Sequence, residues 1–141
     1  MATLIDTNVL VDIAVRDQQW RAWSRFWMRE VRKGGAAIIN QIIFAEFATR
    51  YDRLEEVEAV LPEDEFLREG LPFEAGFAAA RAFAVYRRAG GVRERVMPDF
   101  LIGAHAAVRG YAILTRDPSG FARYFPGVQL ITPDTHPAGT A

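Results

Sequence analysis

Residues 3–12 read TLIDTNVLVD. An apolar run ends at Asp6, and the chain turns polar through Thr7 and Asn8 before a second apolar stretch begins. Ala2 to Ile5 has the composition of a short buried strand, and Asn8 to Val15 that of a short helix. An acid between the two can serve as a helix N-cap. It can also mark the carboxyl end of a strand, the edge at which open α/β sheets bind their ligands.

Outward from that stretch, strands and helices alternate. Gln18 to Lys33 is amphipathic, with Trp20, Trp23, Trp27 and Val31 at spacings of three and four, and Gly34-Gly35 closes it. Ala36 to Ile39 reads as a second buried strand, and Gln41 to Tyr51 as a helix capped by Asn40. Leu54 to Leu61 is an acidic helix, and Phe66 to Leu71 an edge strand. Phe73 to Ala89 is an alanine-rich helix ended by Gly90-Gly91, and Val92 to Met97 a loop. Pro98 opens a helix that runs to Arg109. Tyr111 to Thr115 is a strand, Ser119 to Phe125 one or two helical turns, and Val128 to Ile131 a last strand. This order predicts a single α/β domain over residues 1–133, with a central, mostly parallel sheet of four to five strands flanked by helices on both faces. Residues 134–141 are expected to form a disordered tail.

Composition sets limits on function. The chain has 141 residues and no cysteine, so disulfides, thiolate zinc sites and cysteine nucleophiles are excluded. No apolar run reaches the length of a membrane span, and no secretory leader is read at the N-terminus; the expected location is the cytoplasm. Of 17 basic residues only Lys33 is lysine. The net charge of −1 conceals segregation: eight acids and one base lie from Leu54 to Glu74, whereas Arg81 to Arg123 holds eight arginines. A basic second half permits contact with an anionic polymer.

Four acids occupy positions where acids are costly. Asp6 and Asp117, the latter following the strand in YAILTRD, project from one edge of the sheet. Glu46, in NQIIFAEFATRY, falls on or near the apolar stripe of its helix. Asp99, in VMPDFLIGAHAAV, stands at the start of a helix that is apolar almost all round. Ordinary readings exist for each: a cap at Asp6, an i,i+4 pair of Glu46 with Arg50, a first-turn acid at Asp99, and a turn aspartate at Asp117. Gathered at one site they would repel one another, and a hard divalent cation relieves that. Oxygen ligands with no cysteine and two histidines point to Mg²⁺, or Mn²⁺ in its place, rather than zinc or copper. Such an ion can activate a water for attack on a phosphodiester.

The motifs LIDTNVLVD, FAEF, MPDFLIGAHA and ILTRDPSGFARYFPGVQLITP resemble the PIN-domain family, and within it the VapC toxins of VapBC toxin–antitoxin pairs. The likeness runs from Ala2 to Pro133. It implies a magnesium-dependent endoribonuclease that cleaves RNA. Asp6, Asp99 and Asp117 are then metal ligands, Glu46 the fourth acid of the catalytic set, and Asn8 and Thr115 supporting residues. Ser119 stands where some relatives carry a further acid, which weakens the case for a second metal. The resemblance also implies a VapB-type antitoxin that crosses the active site, and a homodimer. Arg93, Arg95 and Arg116 are candidates for gripping RNA phosphates, or are solvated loop arginines.

His105 is expected to be packed, or to lie at a dimer surface, rather than to act as a base, and His136 to be uninvolved. The Trp20–Trp23–Trp27 face is core or, if exposed, a partner surface. Two other function classes remain. One is an acid-dependent phosphohydrolase of the haloacid-dehalogenase or receiver kind. Its pattern asks for an acid where Asn8 stands, and for a lysine at the pocket. The other is a domain that binds RNA or a partner without cutting.

Overall fold

The computed structural model describes residues 1–91 and 97–137. Arg93 and Arg95, proposed from sequence as phosphate contacts, lie outside the described residues. The chain runs β1 (Thr3–Ile5), α1 (Thr7–Ala14), α2 (Arg21–Gly34), β2 (Ala37–Ile39), α3 (Gln41–Ala48), α4 (Leu54–Val60), β3 (Leu67–Arg68), α5 (Phe73–Arg88), α6 (Met97–Arg109), β4 (Ala112–Leu114), α7 (Ser119–Tyr124) and β5 (Leu130–Ile131). The strands form one sheet in the order β3-β2-β1-β4-β5, every pair parallel. Neighbouring strand residues point to opposite faces. Every residue of β1, β2 and β4 is buried, so both faces of the sheet are covered by helices. The predicted edge strand appears as β3, shortened to two residues. Among the described residues no helix is long and apolar enough to cross a membrane.

Parallel strands aim their carboxyl ends at one edge. The chain leaves β1 for β2 on one side, and β4 pairs on the other, so the loops after β1 and β4 diverge. That divergence opens a crevice at the end of β1. Thr3 pairs with Ala37 and with Ala112, which puts Asp6, Asn40 and Thr115 at the same level just beyond the strands. Asn40 is buried and caps α3, its Oδ1 accepting from Ile43 N at 3.0 Å, as predicted.

A second apolar cluster joins α5, α6 and α7: Phe100 meets Phe83, Tyr86, Tyr124 and Phe125 edge-on. Gly103 permits it, because a Cβ there would stand 2.4 Å from the Phe125 ring. This packing seats α6, and with it Asp99, against the sheet.

Two expectations change. Of the expected tail 134–141, residues 138–141 lie outside the described residues and 134–137 pack against α2: Trp23 Nε1 donates to His136 O at 2.7 Å and Trp27 Nε1 to Pro137 O at 3.3 Å. The His136 ring meets Trp27 edge-on at 4.9 Å. A shielded indole N–H needs an acceptor, and this segment supplies it. The tryptophan face is thus closed from within the chain. Deleting residues 133–141 should cost about 1–3 kcal/mol, since it strips the acceptor from the buried Trp23 N–H. Urea unfolding followed by tryptophan emission tests this. A wild-type midpoint with no red shift of the folded emission would contradict it.

His105 is wholly buried, as expected, but it belongs to a network not foreseen. Asn40 Oδ1 accepts from Ile43, so its Nδ2 is the donor to His105 Nδ1 at 2.9 Å. His105 Nε2 therefore donates to Glu69 Oε2 at 2.6 Å, and Tyr111 Oη donates to Glu69 Oε1 at 2.6 Å. The network ties α3, α6 and the loop after β3 together. The Tyr111 hydroxyl is held above the usual tyrosine range, chiefly by that bond.

Candidate active site

Asp6 is both things its sequence position allowed. It is the N-cap of α1, Oδ1 accepting from Thr7 N at 2.8 Å, and it lies at the carboxyl end of β1, its own N–H bonded to Leu114 O at 2.9 Å. Its Oδ2 accepts from Thr115 Oγ1 at 2.7 Å and Asn8 Nδ2 at 3.2 Å. Thr115 Oγ1 accepts in turn from Asp117 N at 3.0 Å, and Asn8 Oδ1 from Arg116 N at 3.3 Å. The turn after β1 and the loop after β4 are laced together through Asn8 and Thr115, the two residues assigned supporting positions.

A cleft of about 290 Å³ opens over this lattice, lined by Asp6, Glu46, Asp99 and Asp117 together with Thr7, Asn8, Val11, Arg50, Arg116 and Phe121. The four acids singled out in the sequence, 111 residues apart at their extremes, share one cavity. Glu46 Oε1 accepts from Thr7 Oγ1 at 2.7 Å. The proposed Glu46–Arg50 ion pair is not formed: Arg50 Nη1 donates to the Glu46 backbone oxygen at 3.4 Å instead. Asp117 Oδ1 accepts from Ser119 Oγ at 3.3 Å. Asp99 has no hydrogen-bond partner among the described residues.

The electrostatics follow from crowding and burial. The Asp6 carboxyl is pushed up to about 6, first by desolvation and then by Asp99 and Glu46, against the bonds from Thr115 and Thr7. Asp99 faces the open cleft yet is also raised to about 6, by the protein packed behind it and then by Glu46 and Asp117. Among the described residues, no three histidine or carboxylate side chains stand so as to hold an ion by themselves. An all-oxygen set that crowds negative charge and leaves room for water suits Mg²⁺, which takes one or two carboxylates and keeps several waters.

Arg116 lines the cleft, with its side chain 31% exposed and anchored from below rather than loose in solvent. Its Nε donates to Asp12 Oδ2 at 2.8 Å, and its guanidinium lies 5.8 Å from the centre of the Trp20 ring. Asp12 is 1 % exposed and also accepts from Ser24 Oγ at 2.9 Å. Sequence reasoning missed Thr7 and Asp12 as site-shaping residues. The signal for Asp12 was available: it is an acid on the inner face of an apolar helix, as Glu46 is.

The PIN-domain family model matches residues 3–124. The chain belongs to the PIN-domain family. No curated relative matches it. Among solved structures, this PIN domain is similar to VapBC2 from Rickettsia felis bound to a DNA fragment from its promoter, at 17% identity and a TM-score of 0.73, covering 94% of this chain and 98% of that one. It is similar to FitAcB from Neisseria gonorrhoeae at 19% identity and a TM-score of 0.67, with 93% and 97% covered. A toxin–antitoxin complex from Klebsiella pneumoniae matches at 20% identity and a TM-score of 0.64, with the same coverage. At these identities the likeness is one of fold.

Proposed function

We propose that this PIN domain is a magnesium-dependent endoribonuclease, the toxin of a VapBC-type toxin–antitoxin pair. The observation that carries the reading is the convergence of Asp6, Glu46, Asp99 and Asp117 on one cleft at the carboxyl edge of the sheet. Asp6 and Asp99 would hold the cation, with Asp117 at its rim. When bound, the ion would offset charge on the phosphoryl oxygens and lower the pKa of a neighbouring water. Glu46, with Oε1 fixed by Thr7, has Oε2 left to orient the attacking water. Asn8 and Thr115 hold Asp6 in place. That similar folds occur in toxin–antitoxin complexes supports a cognate antitoxin as partner, one whose arginine would compete for the acids. A second copy of the chain is the other expected partner.

The phosphohydrolase alternative is disfavoured. Lys33 pairs with Glu30 at 2.9 Å on α2 and does not line the cleft. The deciding experiment is cleavage of a pool of structured RNAs with Mg²⁺, set against Asp6→Asn and Asp99→Asn. Phosphatase activity without RNA cleavage would favour the alternative, and RNA binding without cleavage would favour a non-cutting domain.

Metal uptake should depend on pH in a defined sense. Asp6 and Asp99 titrate near 6, above the ordinary 3.8, so below pH 6 they carry protons that a cation must displace. Calorimetric titration with Mn²⁺ should show an affinity at pH 7.5 at least roughly tenfold higher than at pH 5, with proton release near pH 6. Equal affinity at both values would show that these two carboxylates are already ionised at pH 5 or take no part in holding the ion; Asp6→Asn and Asp99→Asn separate the two outcomes.

A further inference from the structure

Arg116 is fixed at both ends. Its backbone N–H donates to Asn8 Oδ1 at 3.3 Å, in the lattice that also holds Asp6. At the far end of the side chain, Nε donates to Asp12 Oδ2 at 2.8 Å, and the guanidinium carbon stands 5.8 Å from the centre of the Trp20 ring. Asp12 is buried in α1 and is itself held by Ser24 of α2 at 2.9 Å. Nε–H is thus spent on Asp12, whereas the Nη atoms have no hydrogen-bond partner among the described residues, in a side chain that lines the cleft. We propose that Asp12 is a positioning residue, which holds the Arg116 guanidinium so that its Nη atoms grip a backbone phosphate of the RNA. This rests on the nuclease reading of the cleft.

Stability does not by itself call for the pair. The inner face of an apolar helix buries leucine favourably, and buried ion pairs replaced by apolar side chains of similar volume are often neutral or more stable. What the pair supplies is direction. The bases that line this acidic cleft are Arg50 and Arg116, and a polyanion entering it needs a cation already in place. Arg50 is tethered, among the described residues, only by a 3.4 Å bond to the Glu46 backbone oxygen. A loose arginine loses side-chain freedom when it closes on a phosphate, whereas an anchored one has lost it on folding. With Nε held from below, the planar fork keeps its Nη donors for phosphate oxygens, which they match in a bidentate manner.

Fluorescence anisotropy of the full chain with a labelled, mixed-sequence single-stranded RNA tests this, in EDTA so that no strand is cut. Arg116→Lys keeps the charge, and its ammonium still pairs with Asp12, but it brings no fork. Asp12→Ala removes the anchor together with one negative charge beside the cleft. The expected result is an RNA affinity about tenfold lower in Arg116→Lys and about threefold lower in Asp12→Ala, with wild-type dichroism in Arg116→Lys. Coulomb attraction alone predicts the reverse for Asp12→Ala, which makes the cleft more positive. Wild-type affinity in Arg116→Lys overturns the proposal, as does unchanged or tighter binding by a folded Asp12→Ala. Where Asp12→Ala does not fold, Arg116→Lys decides alone. A wild type that cuts RNA with Mg²⁺ but does not bind it in EDTA also overturns the proposal and leaves the nuclease reading standing. A wild type that neither binds nor cuts RNA overturns both.

Discussion

Asp6→Asn and Asp99→Asn should each lower magnesium-dependent RNA cleavage by about 1,000-fold or more, the scale expected when a preorganised charge at a reacting phosphate is removed. Asparagine preserves the shape of both sites. At residue 6 the amide oxygen can still accept from Thr7 N, so the cap persists, while the amide nitrogen gives up the bonds Oδ2 accepts from Thr115 and Asn8 and the negative charge is lost. The reading therefore predicts a folded protein with wild-type dichroism, little Mn²⁺ uptake and almost no cleavage. Glu46→Gln should fall less, by about 10- to 100-fold, because the amide can still accept from Thr7 and orient water without charge. A pool of structured RNAs with end mapping supplies the readout. Wild-type cleavage by either aspartate variant would overturn the proposed chemistry. Retained uptake with lost cleavage would move that residue from the ligand set to a later role.

The second large effect concerns stability. Arg116→Ala should destabilise the protein by about 3 kcal/mol, because it leaves the Asp12 carboxylate buried with only the Ser24 hydroxyl for company. With urea slopes of 1–3 kcal/mol/M for small domains, the midpoint should fall by roughly 1.5 M. The matched control is Lys33→Ala, which breaks an exposed pair with Glu30 and should cost under about 0.5 kcal/mol. Replacing both members, Asp12→Leu with Arg116→Met, should recover much of the loss, since no orphaned charge remains. An Arg116→Ala midpoint equal to that of Lys33→Ala would show that solvent already screens Asp12. Arg116 lies between Thr115 and Asp117, so the same substitution should also loosen the loop that supports Asp6.

Much of this arrangement is legible in the sequence, and the reason is geometric. An acid at the end of an apolar strand has one place to go in a parallel sheet, so Asp6 and Asp117 followed from the strand assignments. Glu46 and Asp99 followed from helical periodicity. What stayed hidden depends on partners far apart in the chain with no shared pattern. Glu69 sits in an acidic run that reads as solvated surface, yet its carboxylate bonds His105, 36 residues away, and Tyr111. The terminal PDTHP segment has the composition of a loose end. Its His136 and Pro137 carbonyls accept from two indole N–H groups, a pairing that no hydropathy profile registers. Arg116 reads as a loop cation until Asp12 is seen beneath it.

The cleft draws its walls from both ends of the polymer, with β1 seated directly between β2 and β4. The four acids stand over one cleft only while β1 and β4 are paired, so an excursion that parts these two strands disperses Asp6 and Asp117 together.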